Sequence, residues 1–127
     1  MKISFSTLGC PDYSWTDIYT MAKDLGYHGI EVRGLGEDIS VYKAKPFADS
    51  NVDATAEKLR EIGLEISCFS SGCVLKYQDK LARSVEELTA YAKLANKLGT
   101  CYIRVLADEN PKPEGDVDDA QIIEALK

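Results

Sequence analysis

The stretch Leu25-Gly26-Tyr27-His28-Gly29-Ile30-Glu31-Val32-Arg33 runs from the end of a helix straight into a strand. An apolar residue and a glycine close the helical pattern, because the residue after a helix often adopts the left-handed conformation that costs glycine no Cβ clash. Alternation follows at once, with Ile30 and Val32 on one face and Glu31 and Arg33 on the other. The same closure returns as Ile62-Gly63 before Leu64-Glu65-Ile66-Ser67-Cys68-Phe69, and as Leu98-Gly99 before Thr100-Cys101-Tyr102-Ile103-Arg104-Val105-Leu106. Gly26, Gly63 and Gly99 stand 37 and 36 residues apart, the length of one strand, one helix and two loops.

The helices between these strands have readable beginnings. Ser14 with Asp17, and Ser84 with Glu87, set an N-cap oxygen and an acidic residue where free amides need them. Trp15, Ile18, Met21, Ala22 and Leu25 follow helical spacing, as do Leu88, Tyr91, Ala92, Ala95 and Leu98. Val52, Ala56, Leu59 and Ile62 do the same in the middle helix, capped by Ser50 or Asn51. A first strand from Lys2 to Leu8 and a fourth helix opening near Asp116 complete the string β-α-β-α-β-α-β-α. Strands alternating with helices make this an α/β chain with a parallel sheet.

Composition removes several classes. The 127 residues (14.0 kDa) are 45% hydrophobic and 28% charged, the balance of a soluble globular domain rather than a disordered or collagenous chain. No apolar run approaches the ~18–20 residues of a membrane span, and Met1-Lys2-Ile3-Ser4 leads straight into strand-like sequence, so neither membrane nor signal peptide is expected. A net charge of −6 and a pI near 4.8 argue against nucleic acid as a partner. Cys10, Cys68, Cys73 and Cys101 form no CxxC pair, which points to a reducing, cytoplasmic setting.

Each strand has one aliphatic and one mixed polar face. Ile3 and Phe5 oppose Ser4 and Ser6; Ile66 and Cys68 oppose Glu65, Ser67 and Phe69; Ile103 and Val105 oppose Tyr102, Arg104 and Leu106. A doubly wound sheet, helix-covered on both faces, tends to be apolar on both, whereas a barrel carries helices only outside. The pattern favours a barrel; an open flavodoxin-like binding or regulatory module is the alternative, and strand order separates 1-2-3-4 from 2-1-3-4. Ligands collect at the carboxyl ends of parallel strands. Those ends carry Leu8-Gly9-Cys10, Arg33-Gly34, Phe69-Ser70-Ser71-Gly72-Cys73 and Leu106-Ala107-Asp108, with long loops Gly34 to about Asn51, Ser70 to Arg83 and Asp108 to Gly115.

Arg33 and Arg104 suit bidentate binding of phosphate, carboxylate or sugar hydroxyls. They equally suit pairing with Glu31 inside the sheet, since a buried glutamate needs a partner; Glu31 could also be a general base or a metal ligand. His28, the only histidine, sits at the amino end of its strand, away from the expected chemistry. Gly34-Leu35-Gly36 lacks the third glycine and following helix of a dinucleotide loop. Tyr42, Lys43 and Lys45 could close over an anionic substrate or simply be solvated, and Asp118, Asp119 and Glu124 read as acidic decoration of a helix start.

The blocks Lys2–Leu8, Leu25–Arg33 and Leu98–Val105 resemble the sugar phosphate isomerase/epimerase family of the xylose isomerase-like TIM barrel superfamily. The resemblance covers residues 1–127 as the amino-terminal half, the first four βα units of a TIM barrel, with no second domain. It implies interconversion of ketose and aldose, or of epimers, of a small sugar or sugar phosphate by metal-assisted proton transfer. A divalent metal (Mn, Mg, Co or Zn) is implied for the full-length protein, with its ligands on later strands outside this chain. Glu31, Arg33 and Arg104 then become substrate-binding or supporting groups, with no catalytic residue in the chain itself. The superfamily's endonuclease IV branch is disfavoured, since no histidine stands at a carboxyl strand end.

Against a repeat near 36 residues, 127 residues make three and a half units, whereas the eight units of a closed barrel need about 290 residues. Ile122, Ile123 and Leu126 are building an apolar face where the sequence stops at Lys127. The expectation is a truncated, inactive fragment that self-associates or pairs with the missing carboxyl-terminal half, because open sheet edges attract partners.

Overall fold

In the computed structural model, which describes residues 1–107 and 119–127, β1 (Ser4–Ser6), β2 (Gly29–Val32), β3 (Glu65–Val74) and β4 (Ile103–Leu106) pair in parallel in the order 1-2-3-4. That order is the barrel arrangement and excludes the flavodoxin-like alternative. Between the strands lie α1 (Trp15–Asp24), α2 (Val52–Ile62) and α3 (Leu81–Leu98), and α4 (Asp119–Ala125) follows. The expected helix opening at Asp116, and the expectations for Asp108, the Asp108–Gly115 loop and Asp118, fall outside the described residues. Asp119 opens α4, and Glu124 pairs with Lys127 at 2.8 Å.

Local chemistry explains the boundaries. Gly26, Gly63 and Gly99 take φ of 74°, 72° and 69°, the left-handed turn that lets each helix stop and the chain reverse. The residues after them bond back onto the helices, Tyr27 N–H to Ala22 O and Thr100 N–H to Ala95 O, both 2.9 Å. This is why β2 and β4 begin at Gly29 and Ile103 rather than at Tyr27 and Thr100. Ser14 and Asp17 form a full capping box on α1. Ser84 does not cap α3: Leu81, Ala82 and Arg83 are good helix formers, so the helix starts a turn earlier and Ser84 is buried within it. Asn51 precedes α2 without capping it, its amide donating instead to Lys45 O at 2.8 Å. The first strand stops at Ser6, whose hydroxyl accepts from Leu8 N–H and starts a tight turn over Thr7–Gly9.

Strand three departs most from the alternating pattern. Ile30 pairs with Ile66, but the next residue, Glu31, pairs with Cys68. One extra residue in β3 therefore shifts the alternation, so that Phe69 joins Val32 on the helix-covered face while Cys68 lies beside Glu31. The expectation that Phe69 faces away from Ile66 is overturned by this bulge. The strand also continues through Ser70–Val74, where a loop was expected, because Ser71 Oγ donates to Arg104 O (2.8 Å) and Leu75 N–H to Leu106 O (2.9 Å).

The core lies on one face only. Phe5, Ile30, Ile66, Val32, Phe69 and Ile103 share it by register and meet Ile18 and Ala22 of α1, Leu59 of α2 and Tyr91, Leu94 and Ala95 of α3. Phe69, fully buried, packs edge-on against Phe47 (5.7 Å, 90°) and beside Tyr91 (5.9 Å). Tyr91 accepts the Val41 N–H at 3.1 Å and so ties the β2–α2 connection to α3. Burial, chiefly, pushes the Tyr91 phenol up to about 12, the nearby Glu87 adding to it against the Val41 hydrogen bond.

Phe69→Ala is expected to cost about 3–5 kcal/mol in denaturant unfolding, whereas a residue facing the open side of the sheet would cost far less. Tyr91 adds a pH dependence. Between about 10, the unfolded phenol's value, and about 12 the native state keeps a proton that the unfolded chain has released. Stability therefore falls as pH rises through that window and is unaffected by this group below it. Unfolding curves of the wild type and Tyr91→Phe, compared across the window, should show a steeper fall in the wild type, by the share that Tyr91 contributes.

Candidate functional site

The opposite face of the sheet is polar and open. Register places Ser6, Glu31 and Cys68 in one row across β1, β2 and β3, and Ser70 beside Arg104 in the next row toward the carboxyl end. Ser70 is fully buried and its hydroxyl donates to Glu31 Oε1 in a short hydrogen bond. Arg33 follows two residues after Glu31 and donates from Nη1 to Ser70 O at 3.4 Å. Glu31, Arg33 and Ser70 thus form one cluster at the carboxyl end of β2 and the middle of β3, with exposed Arg104 across from Ser70 on β4.

The pairing of Arg33 or Arg104 with Glu31, weighed from the sequence, does not occur. Among the described residues the ion pairs are Lys2–Glu65, Lys58–Glu61, Lys97–Asp49 and Lys127–Glu124, all at the surface. Glu31 is only half-buried and is held by a neutral hydroxyl. A carboxylate so placed keeps its charge available to a ligand, whereas an ion-paired one would be partly neutralised.

Thr7 fixes the Arg33 backbone. It is buried, its hydroxyl donates to Gly34 O at 2.8 Å, and it accepts from Arg33 N–H at 3.0 Å. This clamp ties the end of β1 to the end of β2 and borders a cavity of about 240 Å³ lined by Thr7, Leu8, Pro11, Arg33, Gly34, Gly36 and Ile39. Gly36 takes a φ of 56° in a tight turn closed by Leu35 and Asp38. Among the sequence candidates Tyr42 and Lys43 turn away from this face: Tyr42 stacks on Tyr91 at 5.3 Å and Lys43 lies over the Tyr42 ring at 5.4 Å. Lys45 is exposed in a short helical turn. His28 Nδ1 accepts the Ile3 N–H at 3.2 Å at the amino end, a structural bond far from the cluster.

The four cysteines are free thiols. Burial pushes the Cys68 thiol up, and the Glu31 charge adds to this against the pull of the Arg104 hydrogen bond and charge. Burial likewise raises Cys10 and Cys73. Raised thiols are poor nucleophiles, so Cys68 serves the row as a neutral wall. Among the described residues no three His, Cys, Asp or Glu side chains converge as metal ligands.

Ser70, Thr7 and Cys68 escaped the sequence reading. Ser70-Ser71 inside an apolar run was a signal for Ser70, but only the bulge sets which serine faces Glu31. Thr7 carried none, because its hydroxyl acts through backbone contacts.

Among curated proteins nothing matches. Among solved structures the chain is similar to the probable 3-DHS dehydratase AsbF, involved in petrobactin synthesis, from Bacillus anthracis, with a TM-score of 0.69 and 25% identity over 87% of this chain. The match spans 39% of that structure's own chain. The xylose isomerase-like TIM barrel family matches over residues 19–127. The strand order, the one-sided core and this match agree: the chain belongs to the xylose isomerase-like TIM barrel family.

Proposed function

We propose that this chain is the amino-terminal part of a sugar isomerase or epimerase, acting on a small sugar or sugar phosphate by proton transfer next to a carbonyl. The observation that carries the reading is the Glu31–Ser70–Arg33 cluster on the open face of the parallel sheet, with Glu31 and Arg33 at the carboxyl end of β2 and Arg104 beside Ser70 on β4. In this reading Arg33 and Arg104 bind the substrate's oxygens, while Glu31, steadied by Ser70, orients a hydroxyl or holds a proton. A divalent metal (Mn, Mg, Co or Zn) belongs to the complete protein, on ligands that later strands supply. The free cysteines support a reducing, cytoplasmic setting, and no helix among the described residues is long and apolar enough to cross a membrane. Open edges at β1 and β4 favour pairing with a second copy or with a carboxyl-terminal half. Elimination of water is a second reading, favoured by the dehydratase among similar structures.

In the full-length protein with added Mn or Mg, solvent deuterium should enter the carbon beside the carbonyl of a ketose substrate. Glu31→Gln should lower turnover about 10²-fold or more, and Ser70→Ala less, since it loosens the carboxylate without removing it. Unchanged turnover in Glu31→Gln sinks the role, and an ultraviolet-absorbing unsaturated product in place of exchange selects the dehydratase reading. Light scattering on the 127-residue chain should return a multiple of 14.0 kDa; a stable monomer would remove the pairing proposal.

A further inference from the structure

The cavity beside Arg33 constrains the charge and shape of what enters it. Among the described residues Arg33 is the only charged one in its lining. One guanidinium nitrogen, Nη1, is spent on Ser70 O, which orients the planar group and leaves a fork of N–H donors on the remaining nitrogens. The Thr7 hydroxyl, the lining's only side-chain hydroxyl, is already committed to the backbone of Arg33 and Gly34. The other side chains in the lining are Leu8, Pro11 and Ile39, and Leu8 and Ile39 stand 70% and 71% exposed at the rim.

Three ligand chemistries can be compared with this lining. A phosphate carries close to two negative charges at neutral pH and asks for several donors, commonly a helix N-terminus. The N-terminus of α1, which follows Pro11 in the chain, is closed by its own Ser14–Asp17 capping box and already carries a carboxylate. A neutral polyol needs several free hydroxyl or amide partners on its walls; the wall side chains offer none, because the Thr7 hydroxyl is committed, and only the backbone of Gly34 and Gly36 is left. A carboxylate matches one guanidinium fork in charge and geometry, and an apolar carbon framework matches Leu8, Pro11 and Ile39.

We propose that the cavity formed by Thr7, Leu8, Pro11, Arg33 and Ile39 takes the carboxylate end of a substrate whose adjoining carbons are apolar. The inference rests on reading the carboxyl end of the sheet as a substrate site and narrows the substrate to a carboxylic acid rather than a phosphate ester.

Benzoate, methyl phosphate and xylitol, titrated in turn into the 127-residue chain while the Gly34 and Gly36 amides are followed by NMR, test it. Benzoate should shift these amides and bind more tightly than either competitor. Arg33→Met should weaken it about tenfold or more, and Arg33→Lys, which keeps the charge but loses the fork, should weaken it several-fold. Ile39→Asp, at an exposed rim position where folding is not at stake, should also weaken benzoate. Methyl phosphate binding more tightly than benzoate, with the same dependence on Arg33, overturns the carboxylate assignment and leaves the substrate-site reading intact. Benzoate binding indifferent to all three variants overturns the cavity. If no ligand moves either amide while the wild-type spectrum is that of a folded chain, the substrate-site reading falls with it.

Discussion

A single extra residue in β3 sets the architecture of both faces of this sheet. Between Ile66 and Cys68 the strand advances two residues while its neighbour advances one. Every side chain beyond that point changes face. Phe69 thereby reaches Phe47 and Tyr91 and fills the space between sheet and helices. Cys68 and Ser70 are carried to the open face, where Ser70 meets Glu31. Without the insertion an aromatic ring would stand beside Glu31 and a serine hydroxyl would be buried in the apolar layer, where an unbonded hydroxyl costs about 1–3 kcal/mol.

The polar face is organised by hydrogen bonds rather than by opposed charges. Glu31 leans on a hydroxyl, Arg33 on a carbonyl, and Thr7 grips the backbone between them. Such an arrangement orients charged groups without cancelling them. A salt bridge would have held the same side chains more economically, but a ligand would then have had to displace one of its partners.

Much of the fold was legible because its signals are local. The helix-closing glycines, the capping box of α1 and the alternation of Ile30, Glu31 and Val32 depend on neighbours a few residues away, and each stands where the pattern predicted. The misreadings arose where tertiary pairing competes with a local preference. Ser84 looks like a cap until Leu81–Arg83 extend the helix past it. Ser70–Val74 looks like a loop until β4 supplies partners for its backbone. Glu31 and Arg33 were identifiable as residue types on one face, yet which atoms they would touch depended on a bulge in a different strand.

The shared direction of the four strands also governs how this sheet can grow. A hairpin cannot extend either edge while keeping all carboxyl ends on one side, because it reverses the chain. Each added strand must arrive after a crossover that returns the chain to the amino side, and the helix making that crossover covers the newly added apolar face. Growth is therefore quantised in whole strand-plus-helix units, and each unit adds one more carboxyl end to the rim where Glu31 and Arg33 stand. New chemistry can then be recruited one strand at a time without disturbing the layer beneath.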